Sequence, residues 1–218
     1  MVRARTNGID QARTIAEILE MDFHFHPALA LEEERYGDAV LSRLPIRLRR
    51  AGPLPGLDSQ PGLEPRGAQW LSVELTDFEV QFINTHLGLV AAERANQVDA
   101  LLGPDWLGHP ECQGPAIFCG DLNALPWSTV CKRLSRRLSD VQHALDGHRP
   151  KQTFCGRLPL GRIDHVYVSP HWEVVDIQVP RSDIIRRASD HLPLVVDLRL
   201  AERSAVITQS RPPLRPVS

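Results

Sequence analysis

Four short stretches of this chain hold acids, amides and histidines at spacings that suit phosphate or metal chemistry. In CGDLN, Asp121 and Asn123 stand two residues apart at the end of an apolar run. Residues i and i+2 of a strand point the same way, so both side chains can converge on one ion or phosphate. Their carboxylate and carbonyl oxygens are what a hard cation such as Mg²⁺ prefers. In FINTHLGL, alternation puts Asn84 and His86 on one side of a strand and Thr85 on the other. Asp164 precedes an apolar strand in GRIDHVYVS, and Asp190 and His191 stand together in RRASDHLPLVV. Adjacent side chains of an extended chain diverge, so these last two serve different partners. Each stretch also has a plain structural reading: Asp and Asn are turn formers, a histidine at a strand end is commonly packed or solvated, and an acid there is commonly a cap. Singly, none identifies an active site.

Periodicity gives the elements that must position these residues. Ala12, Ile15, Ala16 and Leu19 recur at helical spacing, which predicts an amphipathic helix from about Asp10 to Glu20. YGDAVLSRLPI reads as a short strand broken by Pro45. Residues 51–67, with four prolines and four glycines, predict an exposed loop and not a domain linker, because the same alternation of elements resumes after it. WLSVEL and FEVQFINTHLGL alternate with period two and predict a hairpin joined near Thr76 and Asp77. A helix over Ala91 to Leu102 follows, with Ala95, Val98, Leu101 and Leu102 on one face. Next come a buried strand, AIFCGDLN, and a helix in STVCKRLSRRL, with Ser128 as N-cap and Val130, Cys131, Leu134 and Leu138 inward. RIDHVYVS and HLPLVVDLRL are further strands. Strands outnumber helices, and hairpins mix with helical connections, so a layered α/β sandwich is expected and not a purely parallel sheet. Residues 1–200 are expected to form one domain, and 201–218, polar and rich in proline, a flexible tail.

At 218 residues, 42 % hydrophobic and 24 % charged, the chain has the composition of one globular domain, which excludes disordered, collagenous and membrane-spanning classes. No apolar stretch approaches the roughly 20 residues of a membrane helix. The opening MVRARTNGIDQ lacks the apolar core of a signal peptide, so a cytoplasmic protein is expected. Cys112, Cys119, Cys131 and Cys155 have no paired spacing, so free thiols are expected and structural zinc is not. A formal net charge of −2 leaves no global basic field and no strong basic patch, so any nucleic-acid contact must be local.

The order His, Asp-x-Asn, Asp, Asp-His changes the weight of the four stretches. It resembles the endonuclease/exonuclease/phosphatase superfamily, which includes deoxyribonuclease-like nucleases, abasic-site endonucleases, neutral sphingomyelinases and inositol-polyphosphate phosphatases. The resemblance rests on YGDAVLSRLP, NTHLG, CGDLNALP, RIDHVYVS and ASDHLPLVVDL, from about Arg3 to Leu200. It implies a four-layer α/β/β/α sandwich of mixed sheets and hydrolysis of phosphoester bonds dependent on Mg²⁺ (or Mn²⁺). Under the resemblance, Asp121 and Asn123 orient the phosphate and the attacking water and share the metal, and Asp190 is a metal ligand. His191 contacts the phosphate and acts in acid–base transfer, with Asp164 holding its tautomer and charge. His86 is the second histidine, facing the phosphate from the neighbouring strand. The expected partner is a phosphoester of nucleic acid or of a phospholipid-like headgroup, and near-neutral charge argues mildly against a tight DNA binder. Nothing in the sequence fixes the oligomeric state.

Two parts of that pattern are not found. Members of the superfamily open with a strand carrying an asparagine, a helix, and a second strand ending in Gln-Glu, whose glutamate is a principal Mg²⁺ ligand. Here RTNGIDQ, which follows that glutamate in relatives, starts at Arg5, so a strand–helix–strand unit of roughly 30 residues is expected to be absent and the fold truncated at its N-terminus. Asn7 sits in a glycine turn, and Glu17 and Glu20 lie on the predicted helix, so none of them stands in. Losing a carboxylate weakens a hard-cation site directly. Two alternatives therefore accompany the enzyme reading: a catalytically inactive remnant serving as a binding or scaffold domain, and a phospholipid or inositol-phosphate phosphoesterase. Retention of Asp121, Asn123, Asp164, Asp190 and His191 together speaks against the remnant, because convergent buried polar groups are costly without a use.

Overall fold

The computed structural model describes residues 10–31, 34–155 and 160–201. Along the chain these form α1 (Gln11–Leu19), β1 (Asp22–Leu31), β2 (Glu34–Ser42), β3 (Ile46–Pro53), β4 (Gly67–Glu74), β5 (Glu79–His86) and α2 (Ala91–Leu102). They continue with β6 (Ala116–Asp121), α3 (Thr129–Leu134), β7 (Ser139–Asp140), α4 (Val141–Ala144), β8 (Asp164–Val168), β9 (Trp172–Gln178), α5 (Asp183–Ala188) and β10 (Val195–Leu200).

Six strands form one mixed sheet in the order β3-β4-β5-β6-β8-β7. β5 and β6 are its parallel pair, and α2 is the crossover that a parallel connection requires. The alternation of β5, β6 and β8 gives the sheet two faces. Ile83, Phe118 and Tyr167 point to one, where Val98, Leu101, Val130 and Leu134 of α2 and α3 close the main core. Ile117, Val166 and Val168 point to the other, where Val174, Ile177, Val196 and Leu198 of β9 and β10 meet them. The β1–β2 pair packs against β3, β4 and β5, with α1 outside it. The layers therefore run helices, six-stranded sheet, paired strands, helix: an α/β/β/α sandwich, with a second β layer made of two separate antiparallel pairs, β1-β2 and β10-β9.

The first helix, the β4–β5 hairpin, the second helix and the strand ending at Asp121 lie where periodicity puts them. Ser128 caps α3, accepting a hydrogen bond from the Cys131 amide at 3.3 Å. Three expectations need correction. The loop expected over 51–67 is shorter, because β3 runs to Pro53 and β4 starts at Gly67. Its ends are buried, not exposed: Leu54 and Arg66 are 7 % and 6 % accessible, and Leu54 N donates to Arg66 O at 2.8 Å. The buried face of α2 is Glu93, Gln97, Val98 and Leu101; Gln97 turns inward because its Oε1 accepts from Gly88 N at 2.9 Å, which ties down the chain just beyond His86. α3 stops at Leu134 and continues as turns, with Leu138 N donating back to Leu134 O.

Asn7 and residues 202–218 lie outside the described residues. All four cysteines are free thiols. Among the described residues, no helix is long and apolar enough to cross a membrane.

Candidate active site

Sheet register brings the expected residues together. In the β5–β6 ladder His86 lies beside Asp121, and in the β6–β8 ladder Asp121 lies beside Asp164. Three side chains from segments far apart in sequence thus form a row across one end of the sheet. His191 enters from the stretch before β10: its Nδ1 sits 3.0 and 2.9 Å from the two Asp164 carboxylate oxygens. Phe154 holds the ring from the side, with centroids 4.9 Å apart, and Leu192 N donates to Thr153 O at 2.7 Å.

Asn123 reaches the same place by a turn, not by strand alternation. β6 ends at Asp121, and Asn123 has φ +46°, in the left-handed region that asparagine tolerates better than most residues. Its backbone N donates to Asp121 Oδ1 at 2.9 Å, and its Nδ2 donates to Leu87 O at 2.8 Å. That closes the turn and leaves Nδ2 3.1 Å from His86 Nε2. Asp190 is placed differently: it is exposed, and it is not among the residues whose ligand atoms cluster here. Asn84, on the face shared with His86, lines the cavity beside the site and reaches Cys119 Sγ at 3.7 Å.

Both histidines face one oxygen, Asp121 Oδ2, with His86 Nε2 at 3.4 Å and His191 Nε2 at 3.8 Å. Their surroundings drive them apart in protonation. Burial, together with the nearby Arg66 and His191 charges, pushes His86 down to about 4. The hydrogen bond to Asp164 raises His191 despite partial burial. Burial likewise raises Asp121, so its carboxylate is a stronger base than one in water.

Three further residues complete the surroundings of His86 and are not singled out by the sequence. Arg66 Nη1 lies 3.4 Å and the Tyr36 hydroxyl 3.3 Å from His86 Nδ1. Arginine can only donate, and so can the amide nitrogen of Asn123, so donors face His86 at both ring nitrogens, Arg66 at Nδ1 and Asn123 at Nε2, which disfavours a second proton on the ring. Arg66 is buried, and its Nε has no hydrogen-bond partner among the described residues. Asp38 is pushed up to about 7 by burial and by Asp121, against the pull of Arg66. Tyr36 and Asp38 belong to the YGDAVLSRLP stretch, which offered a signal. Arg66 closes a loop of prolines and glycines whose composition gives no hint of burial.

Asp121, Asp164 and His191 each offer a ligand atom within 4.8 Å of the others. Two carboxylates and an imidazole fit a divalent cation, the oxygens suiting Mg²⁺ and the nitrogen being tolerated by Mn²⁺. The same residues line one wall of a cavity of about 540 Å³, together with Asn84, Cys119 and Gly120. Carboxylates and an imidazole on the cavity wall, with the Asn123 amide and Arg66 behind Asp121, suit the binding of a tetrahedral anion and proton transfer beside it.

A model of the Endonuclease/Exonuclease/phosphatase family matches residues 7–191. The uncharacterized protein YbhP of Escherichia coli K12 is 28 % identical over 191 residues, covering 85 % of this chain and 72 % of YbhP. A functionally unknown conserved protein from Enterococcus faecalis has a similar structure, with TM-score 0.72 and 21 % identity over 88 % of this chain and 82 % of that one. A mannosyl-6-phosphatase of Bacteroides thetaiotaomicron follows at TM-score 0.71 and 23 % identity, over 87 % and 81 %.

Proposed function

The chain belongs to the endonuclease/exonuclease/phosphatase family, and from that premise we propose that it is a Mg²⁺- or Mn²⁺-dependent hydrolase of phosphoester bonds, with a phosphodiester as the first substrate to test. The observation that carries this reading is the shared oxygen of Asp121, flanked by a neutral His86 and a His191 whose charge Asp164 sustains. In-line attack on a phosphate ester forms a bond from water oxygen to phosphorus, breaks the bond to the leaving oxygen, and builds negative charge on the nonbridging oxygens. Asp121 takes the proton of the attacking water. Asn123 Nδ2 orients a nonbridging oxygen, the His191 imidazolium stabilises the charge that develops there, and Arg66 adds positive charge from behind His86. His86, held between Arg66 at Nδ1 and Asn123 at Nε2, faces the same centre. Asp121 and Asp164, with Asn123 beside them, would hold the cation, which would supply Lewis-acid stabilisation of the developing charge when bound.

The test is hydrolysis of bis-p-nitrophenyl phosphate with Mg²⁺ or Mn²⁺, with the monoester in parallel. His191→Ala and Asp121→Ala should each lower kcat by at least about a hundredfold. Equal turnover by the wild type and both variants would remove the site assignment. One observation favours a second reading, a phosphate-binding domain without turnover: among the described residues, no glutamate joins the donor group and Asp190 stands outside it. Phosphate binding by a wild type that cleaves neither ester would select that reading.

A further inference from the structure

The strand that delivers Asp164 is gripped from behind by a buried ionic cluster that the proposed chemistry does not use. Arg162 and His165 bracket Asp164 in sequence and are 4 % and 2 % exposed. Both face Asp140, which is 8 % exposed. Arg162 forks onto it, Nη1 donating to Oδ1 at 2.9 Å and Nη2 to Oδ2 at 2.8 Å. Asp140 is fixed in turn, because its Oδ1 accepts from Gln142 N at 3.0 Å at the start of α4. Strand alternation turns His165 to the sheet face opposite Asp164, where Tyr167 stacks on it with centroids 5.8 Å apart. Its Nδ1 lies 3.9 Å from Asp140 Oδ2 and, among the described residues, has no hydrogen-bond partner.

The other ring nitrogen makes the connection of interest. His165 Nε2 donates to the Ala124 carbonyl at 2.9 Å. Ala124 directly follows Asn123, so one imidazole spans from β8, which carries Asp164, to the left-handed turn that aims Asn123. A histidine is a poor choice for filling a core: burying its polar atoms costs free energy, and a buried ion pair such as Arg162–Asp140 is weak evidence for stability. Fixing geometry is what such a cluster does well, and a misplacement near 1 Å at a reacting centre can cost about a hundredfold in rate.

We propose that His165 is a positioning residue: by tying the Ala124 carbonyl to a β8 strand anchored on Asp140, it sets the distance between the Asp121–Asn123 turn and the Asp164–His191 pair. Its effect on turnover rests on the phosphoesterase reading above, whereas its effect on the cation donors does not.

The test pairs His165→Asn, whose side chain is too short to reach Ala124 O, with His165→Gln, whose amide nitrogen falls near the position of Nε2. Steady-state kinetics on bis-p-nitrophenyl phosphate and calorimetric Mn²⁺ titration are run on the wild type and both variants. His165→Asn should lower kcat about 10- to 100-fold with KM within about twofold, and weaken Mn²⁺ binding about tenfold. His165→Gln should recover most of both. If His165→Asn melts lower yet keeps kcat and Mn²⁺ affinity within about twofold of the wild type, the residue is only a core group and the proposal falls. If His165→Asn does not fold, Arg162→Lys, which keeps the charge but loses the fork, should lower kcat and Mn²⁺ affinity in the same direction, and unchanged values overturn the proposal. A wild type that cleaves nothing defeats the phosphoesterase reading alone. The Mn²⁺ affinities then decide: weaker in His165→Asn and restored in His165→Gln supports positioning, equal values refute it.

Discussion

One carboxylate oxygen shared by two histidines is a sound arrangement only if the histidines differ. Two imidazoliums beside Asp121 would repel each other, and two neutral rings would leave only the buried Arg66 as positive charge for a phosphate. The environments separate them: burial and Arg66 lower the His86 pKa, and the hydrogen bond to Asp164 raises that of His191. Pairs of titratable groups pushed apart in this way commonly divide roles between charge stabilisation and orientation. Asp164→Asn tests the division. Removing the carboxylate removes the first cause of the raised His191 pKa, so the ring loses its proton at lower pH. The alkaline limb of the kcat/KM profile should move to lower pH, with kcat reduced even at its optimum. A profile unchanged in position would show that His191 does not set that limb. At this scale the sequence was a good guide to residues at strand ends. His86, Asp121, Asp164 and His191 sit in short polar breaks after or before apolar runs. Arg66 was illegible because its burial depends on β2 and β5 folding over it, which no local pattern encodes.

The elements show where local signals suffice and where they do not. α2 and the β4–β5 hairpin carry strong periods, and α2 matches its expected bounds while the hairpin strands differ from theirs by up to three residues. β1 also carried a usable signal, since Phe23 and Phe25 alternate with His24 and His26, one of which bonds Gln69 Oε1 through Nδ1 at 2.7 Å. β9 and α5 were not read: WEVVDIQ mixes acids into its exposed positions, and α5 has no buried residue to give it a period. Asp121 and Asn123 lie together, but a left-handed turn and not the strand pleat brings them there. The element that makes the row of site residues possible is the β5–β6 pair, and its tightest point is Gly120. A Cβ there would meet Thr85 O at 1.8 Å, backbone against backbone, at φ +150°. Gly120→Ala must therefore spread the two strands at the position preceding Asp121. It should destabilise the fold by about 1–3 kcal/mol or more in urea unfolding, and in the folded fraction it should weaken Mn²⁺ binding. Wild-type stability in Gly120→Ala would mean that the strands part there without cost.

For the whole molecule, the buried groups around the site make stability depend on pH in opposing ways. His86 takes up a proton at about pH 6.5 when unfolded and at about 4 when folded. The unfolded chain binds more protons across that window, so this group makes stability rise with pH and withdraws it as pH falls from about 6.5 to about 4. Asp38 does the reverse. Its carboxyl titrates near the ordinary value of about 3.9 when unfolded and at about 7 when folded, so the folded chain binds more protons and stability falls as pH rises through that range. Burial moves Asp121 in the same direction as Asp38. With a formal net charge of −2, overall self-repulsion adds little, and the local groups decide the profile. Asp38→Asn removes the larger opposing contribution while keeping the side-chain shape. Measured without metal, in EDTA, the stability of Asp38→Asn relative to the wild type should increase by on the order of a few kcal/mol between about pH 4.5 and about pH 7. The wild type should be flatter over the same range, because its two contributions cancel in part. Urea midpoints that stay parallel for the two proteins would show that Asp38 ionises in the folded state as it does in water, and that Arg66 compensates its burial in full.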